Sequence, residues 1–113
     1  MVAIFSRLAR TARTMAVTGA YEAAVTAVAL RYGVPAAELR RRCQRRPDYV
    51  NLKRQALYLA VIGGHSRREV ARVSNLSPEA VARACRDVEE ARDNPDIDRL
   101  LDELELIMRS EAS

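Results

Sequence analysis

The chemistry this chain can offer lies mainly in its arginines. Arg67, Arg68, Arg72, Arg83 and Arg86 fall between positions 67 and 86, and Arg40, Arg41, Arg42, Arg45 and Arg46 crowd positions 40 to 46. A guanidinium is permanently charged and presents a planar fork of N–H donors, which fits a phosphate or the edge of guanine bidentately. Ser77, Pro78 and Glu79 stand between the two halves of the first group, and a glutamate in such a place can accept a hydrogen bond from the amino group of cytosine. Five arginines in one short stretch repel one another without a counter-charge, so the 40–46 cluster is expected to meet phosphates rather than water alone. Bond-making chemistry is not expected. There is no Ser-His-Asp or Cys-His grouping, and His65 is the single histidine. Cys43 and Cys85 lie far apart and match no metal spacing. No enzyme, metal or cofactor is therefore expected.

Such side chains read a ligand only if rigid elements aim them. Positions 66–90, SRREVARVSNLSPEAVARACRDVEE, have the grammar of two short helices joined by a tight turn. Ser66 can cap a helix over 67–73, Asn75 tolerates the left-handed backbone of the turn, and Ser77 can cap a second helix with Pro78 at its first position. Small Ala71 permits close helix contact, and Leu76, Val81 and Ala84 face inward. This reads as a helix-turn-helix, a motif whose second helix can enter a DNA major groove with its N-terminal residues toward the bases. Ser77, Pro78, Glu79, Ala82, Arg83 and Arg86 are its candidate groove-facing residues, and Arg67, Arg68 and Arg72 its candidate phosphate anchors. The competing readings are a plain helical hairpin, a Glu79 that only favours the helix dipole, and an Arg86 that pairs with Glu90 four residues on.

The charge balance points the same way once it is divided. Residues 1–86 hold 16 Lys and Arg against 5 Asp and Glu, a net of +11; residues 87–113 hold 3 against 10, a net of −7, leaving +4 for the chain. A basic body of this kind suits a polyanion. All but one of the basic residues are arginine, Lys53 being the exception. A GC-rich gene would favour arginine over lysine, but it would not segregate the signs. The length of 113 residues and the 49% hydrophobic content fit one domain with a real core, and the Ala, Leu, Val, Arg and Glu richness fits an all-α fold. No apolar run approaches a membrane span. The cysteines suggest no disulfide framework, which fits a cytoplasmic, nucleoid-associated protein.

Along the chain, residues 1–17 read as a basic N-terminal arm or helix with Arg7, Arg10 and Arg13. A break is expected at Thr18-Gly19, then a buried helix over 19–32 closed by Gly33. Pro35 starts a short helix over 36–41. The basic cluster follows, with a turn at Pro47-Asp48, and a helix over 50–62 presents Leu52, Ala56, Leu59 and Ala60 to the core before Gly63-Gly64 stops it. The domain 18–92 ends at the Asp93-Asn94-Pro95-Asp96 break. Segment 93–113 carries an acidic amphipathic helix over 97–109. Its apolar stripe is Ile97, Leu100, Leu101, Leu104 and Met108, and its other face holds Asp98, Asp102, Glu103 and Glu105. This helix is expected to pack on the domain; docking of RNA polymerase or a co-regulator is the alternative.

Five stretches in order, ALRYGVPAAEL (29–39), the basic loop (40–46), RQALYLA (54–60), HSRREVA (65–71) and VARACRDVEEAR (81–92), resemble the C-terminal DNA-binding domain of the bacterial replication initiator DnaA. The resemblance covers residues 20–92 and implies an all-α, Trp repressor-like domain IV fold, here with an acidic C-terminal helix added. It implies that Arg45 or Arg46 enters the minor groove, with Arg42 beside them, and that Arg54 lies near the DNA backbone. The family opens its recognition helix with Asp-His-Thr-Thr; Ser77, Pro78, Glu79 and Ala80 stand there instead, so a different target is implied. No Walker-type loop accompanies the domain, as expected of a free-standing module. In its Arg/Ala-rich composition and its RDNPDID segment (92–98) it is similar to the transcriptional activators of gene transfer agents. The expected function is a sequence-specific, double-stranded DNA-binding transcriptional regulator. A regulator of replication initiation at origin DNA and a helical adaptor are the alternatives.

Overall fold

Val17, Tyr21, Ala24, Val25, Val28 and Ala29 recur at intervals of three and four, and all six are buried along one stripe of the first helix. The computed structural model describes residues 2–41 and 46–112. Its first helix, α1 (Val2–Tyr32), runs straight through the break expected at Thr18-Gly19. A helical glycine costs about 1 kcal/mol relative to alanine, but Val17 and Tyr21 on either side of it sink into the core at 2% and 3% exposure. Burying two such side chains outweighs the glycine penalty. The helix ends where expected: Gly33 adopts φ 68°, and the Val34 amide donates to the Ala29 carbonyl at 3.0 Å.

Helix α2 (Ala36–Arg40) follows Pro35 and buries Leu39; Arg41, expected as its last residue, is already extended. Helix α3 (Pro47–Ile62) starts three residues earlier than the sequence suggests. Pro47-Asp48, read as a turn, instead opens the helix, because a proline at the first position lacks only an N–H that would have no helical acceptor anyway. Leu52, Ala56, Leu59 and Ala60 are buried as expected, and so are Lys53, Gln55, Leu57 and Tyr58. Helix α3 is thus the hub, with α1 and α5 as its main neighbours and α2, α4 and α6 also against it. The Gln55 amide and the Tyr32 hydroxyl hydrogen-bond at 3.1–3.2 Å, fixing the end of α1 to this hub.

Helices α4 (Arg67–Ser74) and α5 (Pro78–Ala91) come next, then α6 (Pro95–Ala112). Asn94 Oδ1 accepts the Asp96 amide at 2.9 Å and so starts α6. Leu101 and Leu104 are 0% and 2% exposed, while Asp102 and Glu103 face solvent. The last helix therefore packs Leu101 and Leu104 against α1 and α3, while Leu106 stays 66% exposed. Arg92 adds a polar stitch. Its Nε donates to Asp98 at 2.6 Å, its Nη2 to Asp102, and its Nη1 to the Tyr58 hydroxyl at 3.1 Å, with the guanidinium 5.8 Å from the Tyr58 ring centre. These charge-assisted bonds, the one donated to Asp98 foremost, hold the guanidinium even more firmly protonated than usual. The core is one cluster with members in all six helices. Among the described residues there is no strand, and no helix is long and apolar enough to cross a membrane.

Candidate nucleic-acid interface

The α4–α5 unit is built by short-range rules. Ser66 Oγ accepts the Glu69 amide at 3.1 Å and Glu69 Oε1 accepts the Ser66 amide at 3.2 Å, a reciprocal capping box. The Ser-x-x-Glu spacing advertises that box, and the glutamate had no role in the reading of the sequence. Asn75 closes α4 in the left-handed region at φ 61°, and the Leu76 amide donates to the Ala71 carbonyl at 2.9 Å. Ser77 Oγ accepts the Ala80 amide at 3.1 Å, and Pro78 takes the first turn of α5. Inside the corner, Val70, Ala71, Val81 and Ala84 are buried and Leu76 partly so. Cys85 is 7% exposed, and burial pushes its thiol up while the Arg67 charge opposes the shift. It behaves as a small apolar residue.

The outer surface is where the candidate reading residues stand. Pro78, Glu79, Arg83 and Arg86 are exposed on α5, and Arg67, Arg68 and Arg72 are exposed on α4. Glu79, Arg83 and Arg86 follow one another at four and three residues, so they share one face. Ser77 is exposed too, but its oxygen is engaged by the cap, leaving its O–H as the group able to contact a ligand. Ala82 is half-buried on the same face and lines a hollow with Arg67, Cys85 and Arg86. No carboxylate among the described residues forms an ion pair with Arg67, Arg68, Arg72, Arg83 or Arg86. The pairing of Arg86 with Glu90 is not made.

The basic cluster differs from its expectation. Arg42 and Arg45, with Cys43, lie outside the described residues. The remaining three arginines do have counter-charges: Arg40 meets Glu22 at 2.7 Å, Arg41 meets Glu38 at 3.3 Å, and Arg46 meets Asp48 at 3.3 Å. Arg46 also lies over the Tyr49 ring, 4.8 Å from its centre. Folding brings Glu22 to the cluster from eighteen residues away, which spacing along the chain could not reveal. Pairs this exposed are worth at most about 1 kcal/mol each, so a phosphate can displace them. Arg54 is likewise tied. It donates to Asn51 Oδ1 at 3.2 Å and lies 3.6 Å from Asp87 on α5. Beneath the cluster, buried Lys53 donates from Nζ to the Arg41 carbonyl, so the one lysine pins the stem of the loop instead of facing a ligand.

The surface therefore has two grades of cation. Arg40, Arg41, Arg46 and Arg54 sit beside carboxylates, while the arginines of α4 and α5 are exposed and form no ion pair among the described residues. Comparison with protein-family models, with curated proteins and with solved structures returned no match.

Proposed function

We propose that this chain is a sequence-specific, double-stranded DNA-binding regulator of transcription, built around a DnaA-like domain. The observation that carries the reading is the capped α4–α5 corner, which holds five exposed arginines that form no ion pair among the described residues. Arg67 and Arg68 anchor phosphates, and α5 presents Glu79, Arg83 and Arg86 to base edges in the major groove. Ser77 and Pro78 set the approach of that helix, with the Ser77 hydroxyl available to a phosphate or base. Arg42, Arg45 and Arg46 take the neighbouring backbone or minor groove, and Arg54 supports them from α3. The rewritten Ser77-Pro78-Glu79-Ala80 edge directs the domain to a target other than the initiator's origin box. Gene transfer agent promoters are the first candidates.

Fluorescence anisotropy on random and genomic duplexes tests this. A regulator binds some genomic fragments at least a hundredfold more tightly than random duplex at physiological salt. Glu79→Ala or Arg83→Ala then changes the ranking of sequences, costing about 1–3 kcal/mol at the position read. Uniformly weak binding with no ranking would reject the proposal. A second reading, an adaptor that docks a protein, has its own supporting observation. Leu30 and Ile107 are 78% and 50% exposed beside a groove between α1 and α6. An adaptor would show the uniformly weak binding.

A further inference from the structure

The buried stripe of α1 does not stop where the core stops. Counting back from Val17 at helical spacing gives Thr14, Arg10 and Arg7, on the face that at Val17 and Tyr21 is apolar and buried. Because α1 is unbroken, these residues are carried on a rigid extension, and Arg7 lies about 15 Å along the axis from Val17. That extension runs beside α4. Between the two helices is a cleft of about 550 Å³ lined by Arg10, Thr14 and Val17 from α1 and by Arg68, Glu69 and Arg72 from α4.

The composition of the cleft is unusual for an internal junction of two helices. Three arginines line it from two helices, with Arg7 one turn further out on α1, and Glu69 is the only carboxylate among its described lining residues. That carboxylate is engaged in the Ser66 capping box. Arg7, Arg10, Arg68 and Arg72 form no ion pair among the described residues, unlike the paired arginines at 40, 41, 46 and 54. Like charges facing one another from two rigid elements disfavour the free protein and favour a bound polyanion. Helix α4 presents Arg67 to the hollow it shares with α5, and Arg68 and Arg72 to α1. Arginines that form no ion pair among the described residues thus run from α5 across α4 to α1.

We infer that the N-terminal half of α1 is a second DNA-contacting element, and that its Arg7 and Arg10, with Arg68 and Arg72, clamp phosphates of the duplex beyond the segment contacted by α5. This rests on the proposed DNA-binding function and extends it to a helix outside the helix-turn-helix. The contact is sequence-independent, since it engages only the backbone.

The test uses the full chain, with anisotropy titrations on a labelled duplex across a salt series. Arg7→Ala with Arg10→Ala should weaken binding about tenfold on every sequence at physiological salt. It should also lower the slope of log K against log salt by about 1–2, the value for two lost phosphate contacts, and leave the ranking of sequences intact. Alanine favours helix, and circular dichroism verifies that α1 persists. Arg7→Lys with Arg10→Lys should keep most of the slope. Arg31→Ala with Arg99→Ala removes the same charge from exposed positions elsewhere and should bind like the parent. Parental affinity and slope in the Arg7, Arg10 alanine variant would overturn the clamp and leave the regulator reading standing, as would equal losses in the Arg31, Arg99 control. A parent chain that binds no duplex overturns both.

Discussion

Tyr21 illustrates how one side chain can be well packed yet polar in the wrong place. It is 3% exposed, and among the described residues its hydroxyl is the one buried side-chain polar atom with no hydrogen-bond partner. Burial, reinforced by the neighbouring Glu22 and opposed by Arg40, pushes its pKa up from 10 to about 12. The folded state therefore keeps the phenol neutral where the unfolded chain ionises it. A raised pKa of this kind contributes stability below pH 10 that is lost as pH rises through about 12. Tyr21→Phe removes an unsatisfied hydroxyl without removing the ring, so it should stabilise the fold by about 1 kcal/mol at neutral pH. It should also flatten the alkaline fall between pH 10 and 12, leaving a smaller one from Tyr58, which burial raises as well. Urea denaturation of both proteins at pH 7, 10 and 12 measures this. A destabilised variant with an unchanged alkaline limb would show that the hydroxyl has a partner.

At the scale of the element, what could be read from the chain divides by the range of the forces involved. Ser66, Asn75, Ser77 and Pro78 act on backbone within a few residues, so the borders of α4 and α5 were legible in spacing alone. The same holds for Gly33 at the end of α1. Gly19 was misleading because its fate is decided by Val17 and Tyr21 meeting a core assembled from distant helices. The counter-charges of Arg40 and Arg54 were hidden for the same reason, since Glu22 and Asp87 reach them only through folding. Among the candidate site residues, the arginines of α4 and α5 and Glu79 stand exposed, Ala82 is half-buried among them, and Arg54 is tied to Asn51 and Asp87. Helix α1 supplies its own prediction. A Cβ added at Gly19 would meet nothing within 4 Å, and the residue lies inside a regular helix. Gly19→Ala should therefore raise stability by about 0.5–1 kcal/mol and slow amide exchange over residues 8–18. At Gly33, where φ is 68°, the same change should destabilise. Equal effects at the two sites would contradict the conformations assigned to them.

For the whole molecule, the sharp division of charge invites a picture of a basic domain with a detachable acidic tail. The packing argues against detachment. Leu101 and Leu104 belong to the same buried cluster as Val25, Leu59 and Val70, and Arg92 ties α6 to Tyr58 on the central helix. A helix joined by two fully buried leucines and a branched polar stitch should unfold with its neighbours, because opening it exposes the apolar faces of α1 and α3 together. Truncating a leucine in such a site removes its transfer energy and leaves a cavity, at a cost of about 3 kcal/mol. Leu101→Ala should therefore lower the global free energy of unfolding by that amount. It should speed hydrogen exchange in the core of α1 and α3 as much as in α6, with one cooperative transition retained. If the loss of protection were confined to residues 95–112, α6 would be an independently opening arm. Its Leu stripe would then be open to a partner protein while the rest of the fold stayed intact.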